Sequence, residues 1–481
     1  MDNQLKPCGV PFVEGHIVIK ATDYIMGSTN QPIKHLYYRA AFGLPVQGEN
    51  LSLKSLFIKT ESTPLNVIAR PEIPTGFKGD RKQFLKEAFE KSRADMMRLN
   101  LAWMEKLGHT EHALQEKMVL FWHNHFACRT LIPSLAQQQN NILRKHALGS
   151  FADMLMEVSK DPAMLQFLNN QQNKKGHPNE NFAREVMELF TLGRGHYTEE
   201  DIKEAARAFT GWGFSAEGHF QFRPNQHDEG EKIFRGKTKK YTGEDILEAI
   251  LDDPQTARFI TQKIVAYFSG KEINNPEIDS LARSFYKSNY HIGKLVKQVL
   301  SAPWFFNPDL VGNRIKTPIE LITGAQQQTG SKFTDPQTLV FFQRALGQLL
   351  FYPPNVGGWP KGKEWIDSSS LAFRMAMPQL IFHKKETEFQ AKDDGDVNSL
   401  REKKPKRDFS LDVNWGNLAH SFMKKNVEDT YFKIEDHLLA KPASSANRAL
   451  LLKLSAGTKN DEELVKKIIT GIMSLPEYQL C

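Results

Sequence analysis

The sequence predicts an all-α protein, a multi-helix, bundle-like body with one small β-hairpin insertion. Apolar residues recur at intervals of three or four over most of residues 81–383, as on the buried face of amphipathic helices. Hydrophobic residues make up 40% of the 481 and charged residues 25%, a balance typical of a chain with a sizeable core. Alternation typical of strands is confined to the region near residues 218–236.

The first predicted part, residues 1–80, is an irregular N-terminal arm. It is rich in Pro, Gly and Thr and holds one short helix, in the segment IKHLYYRAAFG. From residue 81 the apolar period becomes helical and continues to Gly108, which ends the run. A second helix is predicted over residues 113–128, and Pro133 permits the start of a third.

Helices continue through the second predicted part, a main domain over residues 81–383. Asn179 is the predicted N-cap of a helix that ends at Gly193, and Thr198 is the predicted N-cap of the next. The runs HFQFRP and EKIFRG flank the turn-forming stretch NQHDEG, so we expect them to pair as the hairpin near 218–236. Helices then resume to about residue 350, followed by a loop rich in Pro and Gly and a last helix near 369–383.

Two further parts complete the chain. Residues 384–408 contain eight Lys or Arg and seven Asp or Glu in alternation, which predicts a charged linker in contact with solvent. Residues 409–481 are predicted to form a small C-terminal helical segment.

Composition excludes several classes of partner and environment. The net charge of +7 is mild for this length and no basic patch is visible, so we expect no nucleic-acid partner. Cys8, Cys128 and Cys481 are widely spaced without a CxxC motif, which argues against a disulfide framework. No apolar run reaches about 18 residues, and the N-terminus does not read as a signal peptide. We therefore expect a cytoplasmic protein without a membrane span.

Several motifs resemble one known family. The runs FWHNHF, NENFAREVMELFTLG, ARAFTGW and PPNVGGWP, in this order, resemble the bacterial domain-of-unknown-function family numbered 1800. That resemblance implies no established activity. Many relatives are similar to exported proteins and are encoded beside a sulfatase-like or phosphatase-like protein, so the resemblance implies a partner of that kind. This chain departs from those relatives in having no readable export signal.

The first candidate residues for chemistry are His123 and His125, which are predicted ligands of a divalent metal such as zinc. Residues two apart on a helix point to nearly opposite sides, since each residue advances the helix by about 100°. Both would reach one ion only where the helix ends or unwinds. In the alternative interpretation, one histidine faces the core and bonds a backbone carbonyl while the other lines a groove.

Acidic residues supply the second group of candidates. Glu180, Arg184 and Glu188 are spaced four apart and predict a structural ion network on one helix face. Glu185 points away from that face, beside apolar neighbours that would raise the pKa of its carboxyl group. It is therefore a candidate catalytic residue or metal ligand.

His227 and Asp228, in the expected hairpin loop, are the last candidates. An adjacent His and Asp can bind a metal, so His227 is a third predicted metal ligand and Asp228 a second catalytic candidate. In the alternative interpretation, Asp228 only shapes the turn.

Two functions remain open at this stage. The first is a metal-binding, hydrolase-like enzyme whose cleft gathers His123, His125, Glu185 and His227. The second is a non-catalytic helical scaffold that docks a sulfatase-like or phosphatase-like partner. The sequence contains neither the GxxxxGK[ST] motif of nucleotide-binding proteins nor the GxSxG motif of serine hydrolases. No motif therefore indicates either of these functions. The sequence does not decide the oligomeric state.

Overall fold

A computed structural model describes residues 31–46, 50–58, 63–69, 81–215, 217–273, 276–383 and 409–481. It confirms the predicted fold class. The structure is 62% helical, with twenty helices and small two-stranded sheets only, over the described residues. The predicted charged linker at 384–408 and most of the predicted N-terminal arm lie outside these ranges.

The helices, in chain order, are α1 (Gln31–Ala40), α2 (Leu53–Leu56), α3 (Arg81–His109), α4 (Ala113–His125), α5 (Pro133–His146), α6 (Phe151–Ser159), α7 (Pro162–Phe167), α8 (Asn181–Glu185), α9 (Glu199–Ala208), α10 (Gly243–Leu251), α11 (Pro254–Ser269), α12 (Pro276–Lys287), α13 (Ile292–Ser301), α14 (Pro318–Thr329), α15 (Gln337–Leu346), α16 (Ser368–His383), α17 (Trp415–Phe422), α18 (Val427–Leu438), α19 (Ser445–Ser455) and α20 (Asp461–Met473). A π-helix over Val186–Thr191 continues α8. The strands are β1 (Trp212–Phe214), β2 (Phe220–Phe222), β3 (Lys232–Phe234), β4 (Lys237–Lys239), β5 (Lys332–Phe333) and β6 (Leu411–Asp412).

Side-chain caps determine where many of these helices begin. Thr198 caps α9 as predicted, and its hydroxyl accepts a hydrogen bond from the Asp201 amide. Thr317 caps α14 in the same way. The predicted N-cap, Asn179, lies two residues before the start of α8, whose N-cap is Glu180, and its side-chain oxygen accepts from the Asn181 amide at 3.0 Å. Each cap satisfies a backbone donor that has no partner inside the helix.

The predicted pairing of the hairpin is wrong. Instead of one hairpin there are two: β1 pairs with β2, and β3 pairs with β4, both antiparallel. Arg235 and Gly236, with φ of 52° and 74°, form a two-residue turn between β3 and β4. Two positive φ values in such a turn match the twist of the strands they join. The NQHDEG stretch therefore connects two hairpins and is not itself a hairpin turn.

Helix α1 lies inside the protein. All its residues from Lys34 to Ala40 are buried. The Tyr38 hydroxyl donates to the backbone oxygen of His437, and the Lys34 ammonium contacts the Asp436 carboxylate at 2.9 Å. The one helix predicted within residues 1–80 is thus part of the core and contacts the C-terminal segment.

Helix α4 is central to the core and positions the site described below. Its Trp122 is fully buried, and the indole N–H donates to the backbone oxygen of Ala147.

Among the described helices, none has both the length and the apolar character needed to cross a bilayer.

Candidate functional site

A cavity of about 580 Å³ opens beside the C-terminal half of α4. Helix α11 forms a second wall, and the loop after α15 forms a third with Trp359, Lys361 and Trp365. His125, at the end of α4, lines the cavity, and so does Lys263 from α11. Cavities of this size with mostly apolar walls and a few polar groups are typical of small-molecule sites.

The wall carries an excess of positive charge. Lys263, Lys271, Arg314 and Lys361 line the cavity, and Glu272 is the one acidic side chain among the lining residues that the structure describes. Clefts lined by one sign of charge attract ligands of the opposite sign. The electrostatics of the cavity therefore favour an anionic ligand.

In the motif FWHNHF, the side chains of the consecutive residues His123, Asn124 and His125 point in three different directions. His123 faces the core, where its Nε2 accepts a hydrogen bond from the Phe351 amide at 3.1 Å. Asn124 accepts from the Trp359 amide at 2.7 Å, and His125 lines the cavity. Burial, with a smaller effect from the charge of Arg144, lowers the pKa of His123 to about 3. The two histidines lie on different sides of α4, as the helical geometry requires.

His125 and Lys263 form a hydrogen-bonded pair. The Lys263 side-chain nitrogen lies 3.1 Å from His125 Nδ1, and His125 Nε2 donates to the backbone oxygen of Phe190 at 3.1 Å. Because Nδ1 faces a donor and Nε2 faces an acceptor, His125 is a neutral imidazole with its proton on Nε2. Burial and the nearby charge of Lys263 hold the pKa of His125 well below its usual value. Burial, with the charge of Lys361, lowers the pKa of Lys263 to about 7.

The π-helix supplies the backbone acceptors for this pair. The last carbonyl groups of a helix have no partner within it. Here the Leu189 oxygen accepts from Lys263 at 2.8 Å, and the Phe190 oxygen accepts from His125. Single π-helical turns occur often at functional sites. The end of this helix thus holds both side chains at the cavity wall.

The predicted Glu180–Arg184–Glu188 ladder has a different geometry. Arg184 contacts Glu180 at 3.2 Å and forms two bonds, of 2.8 and 2.9 Å, with Glu199. Glu188 is bonded instead by Arg194 and Tyr197, which follow the helix and fold back onto it. The side chain of Arg184 is 34% exposed, so the network lies at the surface.

Glu185, His227 and Asp228 lie away from the cavity. Glu185 is partly buried, and burial followed by the charge of Glu188 raises the pKa of its carboxyl group, as expected. His227 Nδ1 donates to the backbone oxygen of Thr210 at 2.9 Å. Asp228 accepts from Arg207 and from the Gly230 amide, at 2.8 and 2.9 Å. Asp228 therefore shapes a turn, and Arg207 holds the pKa of its carboxyl group below the usual value.

The structure does not gather the predicted residues into one site. Of His123, His125, Glu185, His227 and Asp228, only His125 lines the cavity. Within the described ranges, no three His, Cys, Asp or Glu side chains are grouped so that they could hold a metal ion. Residues two apart on α4 diverge, and the 227–228 stretch is bonded to α9 and the residues that follow it. The predicted divalent metal thus has no donor cluster here.

The residues that sequence reasoning missed are cations. Lys263 and Lys361 come from α11 and from the Pro- and Gly-rich loop, and neither belongs to a known catalytic motif. The one available signal was a lysine within the mainly apolar stretch ITQKIVAYF. Such a residue is usually a surface lysine, so the stretch alone does not indicate a site.

Comparison with known proteins gives one match. A family model described as a protein of unknown function, DUF1800, matches residues 28–480. No curated protein and no solved structure matches the chain. The interpretation of the cavity therefore depends on its own geometry and charge.

Proposed function

The chain belongs to the DUF1800 family of proteins of unknown function, and from that premise we propose that it is an enzyme whose cavity binds a small organic anion. The excess of positive charge on the cavity wall is the observation that carries this proposal. Lys263, Lys271 and Lys361 line the cavity against Glu272, among the described lining residues, whereas the fourth basic side chain, Arg314, is paired with Glu320. Basic side chains without acidic partners bind phosphate, sulfate or carboxylate groups.

The aromatic residues of the cavity support an organic ligand over a bare inorganic ion. Trp359 and Trp365 are almost fully buried yet line the cavity, as do Phe259 and Tyr267. Aromatic faces offer large apolar contact areas to rings and to carbon chains. A molecule with one anionic group and an apolar or ring-shaped body matches both parts of the wall.

Lys263 is the group that would transfer a proton, and His125 positions it. A general acid or base works best when its pKa lies near the working pH. Lys263, with a pKa of about 7, can take up or release a proton at Nζ under neutral conditions. His125 holds that nitrogen in place through Nδ1. The proposal assigns proton transfer to Lys263 and contains no metal step, because the described residues form no donor cluster.

Calorimetric titration with inorganic phosphate, sulfate and p-nitrophenyl phosphate tests the binding. Wild type is compared with Lys361→Gln and with Lys297→Gln, a matched control on the exposed side of α13 and outside the cavity. We expect Lys361→Gln to weaken anion binding by roughly tenfold, about 1.4 kcal/mol, and the control to leave it unchanged. Higher salt should weaken binding as well. Equal affinities of Lys361→Gln and wild type would contradict the proposal.

The scaffold alternative stays a prediction. Leu450 and Leu454 lie one turn apart on α19 and are 54% and 55% exposed, so a partner protein could cover them. Absence of anion binding in the titration would make a scaffold for a sulfatase-like partner the preferred function.

A further inference from the structure

We infer that Lys263 is a nucleophilic amine that forms an imine with an anionic aldehyde or ketone bound in the cavity. The inference rests on the proposed function and narrows its substrate class to carbonyl compounds. It concerns the same cavity, but it assigns Lys263 a covalent step that anion binding alone does not require.

The hydrogen bonds of Lys263 fit a neutral amine. A neutral amine has two N–H groups and one lone pair, whereas an ammonium group has three N–H groups. Two acceptors contact Nζ: His125 Nδ1 at 3.1 Å and the Leu189 backbone oxygen at 2.8 Å. Neither of these contacts is a carboxylate. The two N–H groups are thus satisfied, and the lone pair remains available for attack on a ligand.

The surroundings of Nζ also favour the neutral form. The Phe259 ring centroid lies 4.5 Å from Nζ. The charged or titratable groups that act on it are His125 from α4 and Lys361 from the loop, and neither is acidic. Burial and the charge of Lys361 lower the pKa of Lys263 to about 7. A desolvated lysine beside a second cation is a recognised way to make an amine nucleophilic.

The proposed step is balanced without an oxidant or reductant. The Nζ lone pair attacks the carbonyl carbon and forms a C–N bond, while the carbonyl oxygen takes up a proton. The resulting carbinolamine loses that oxygen as water when the C=N bond forms. Both amine hydrogens leave with the water, and attack by water reverses the reaction. The cationic residue Lys361 would hold the anionic group of the carbonyl compound.

Covalent labelling with pyridoxal 5′-phosphate tests this inference, because the probe carries both an aldehyde and a phosphate. Sodium borohydride reduces any imine to a stable secondary amine, and peptide mass spectrometry identifies the labelled lysine. We expect Lys263 to be labelled at least tenfold faster than Lys297, with a half-maximal rate near pH 7. Excess inorganic phosphate should slow labelling at Lys263 but not at Lys297.

Two variants separate the imine from folding and from binding. Lys263→Arg keeps N–H donors for His125 and Leu189 but cannot form an imine, so the peptide should lose its label while the melting temperature stays near that of wild type. Lys361→Gln should raise the pH at which labelling is half-maximal.

The possible outcomes distinguish the inference from the proposed function. Labelling at Lys263 no faster than at Lys297 overturns the inference; if phosphate still binds in the calorimeter, the proposed function stands. Fast labelling at Lys263 that phosphate does not slow, together with no phosphate binding, supports a reactive lysine but overturns the anion site.

Discussion

At the scale of single residues, buried charges in this protein differ in whether they have a partner. Glu320 is buried and accepts hydrogen bonds from Arg314 and Lys117, at 2.6 and 2.5 Å. Burial alone would raise the pKa of the Glu320 carboxyl group. The two cations outweigh that effect and hold this pKa far below its usual value. Asp161 is buried as well, but it contacts amides rather than a cation. Burial therefore raises the pKa of Asp161 to about 7.

This difference predicts an unusual effect of pH on stability. The pKa of Asp161 is about 7 when folded and about 4 when unfolded, so the folded state binds the extra proton between these values. Its contribution to stability is full below about pH 4 and is lost as the pH rises to 7. Asp161→Asn keeps an N-cap side chain for α7 without this penalty. We expect the variant to be more stable than wild type at pH 8, by up to roughly 4 kcal/mol, and the difference to shrink toward pH 4.

Urea unfolding at several pH values measures this effect. Asp153→Asn, at an exposed position in the first turn of α6, is the matched control for the same substitution outside the core. An Asp161→Asn variant less stable than wild type at pH 8 would show that the carboxylate form is needed.

At the scale of elements, the most informative contact joins α4 to the Pro- and Gly-rich loop. His123 and Asn124 accept from the amides of Phe351 and Trp359. Gly358, with φ of +85°, lies so close to Asn124 that an added Cβ would be 2.2 Å from its side-chain oxygen. The glycine thus lets the backbone of this loop approach helix α4 closely.

Gly358→Ala should therefore disturb the cavity as well as the fold. The alanine has both an unfavourable φ and a clash with Asn124, so the loop must move and carry Trp359 and Lys361 with it. We expect a loss of more than about 2 kcal/mol in stability and a measurable loss of phosphate affinity. Gly347→Ala is the matched control, because its φ is +84° but nothing lies within 4 Å of an added Cβ. Equal thermal destabilisation by the two variants would rule out the steric explanation.

At the scale of the whole molecule, Gln328 of α14 connects three parts of the chain. Its side-chain nitrogen donates to the Tyr38 hydroxyl, and its side-chain oxygen accepts from the Tyr478 hydroxyl, each at 2.9 Å. Its backbone oxygen lies 2.8 Å from His437 Nε2. Helix α1, the main helices and the C-terminal segment thus share one buried hydrogen-bond network.

Gln328→Leu should weaken all three parts together. The buried Tyr478 hydroxyl loses its acceptor, and an unsatisfied buried polar group costs about 1–3 kcal/mol. We expect urea unfolding followed by tryptophan fluorescence and by circular dichroism to give one coincident transition, shifted to lower urea. Gln327→Leu removes one partly buried hydrogen bond to the Leu107 backbone oxygen, and it should shift the unfolding transition less. An earlier, separate transition of the C-terminal segment would contradict this shared network.

Helical fold class was predictable from the sequence because its causes are local. Apolar spacing of three to four residues and capping side chains such as Thr198 act within one or two turns. The family resemblance also needed only short motifs in their order. The hairpin pairing was missed because a two-residue turn at Arg235 and Gly236 outweighed the longer turn-like stretch nearby.

The cavity was decided by the tertiary structure alone. His125 and Lys263 are 138 residues apart and meet because α4 and α11 form neighbouring walls of the cavity. Periodicity tells which face of a helix is buried, but not which other helix covers it, since that depends on how whole faces pack together. By itself the sequence determined the helical class and the family. Packing decided that His123 faces the core, that His227 and Asp228 belong to a turn, and that a partly buried lysine faces the cavity beside His125.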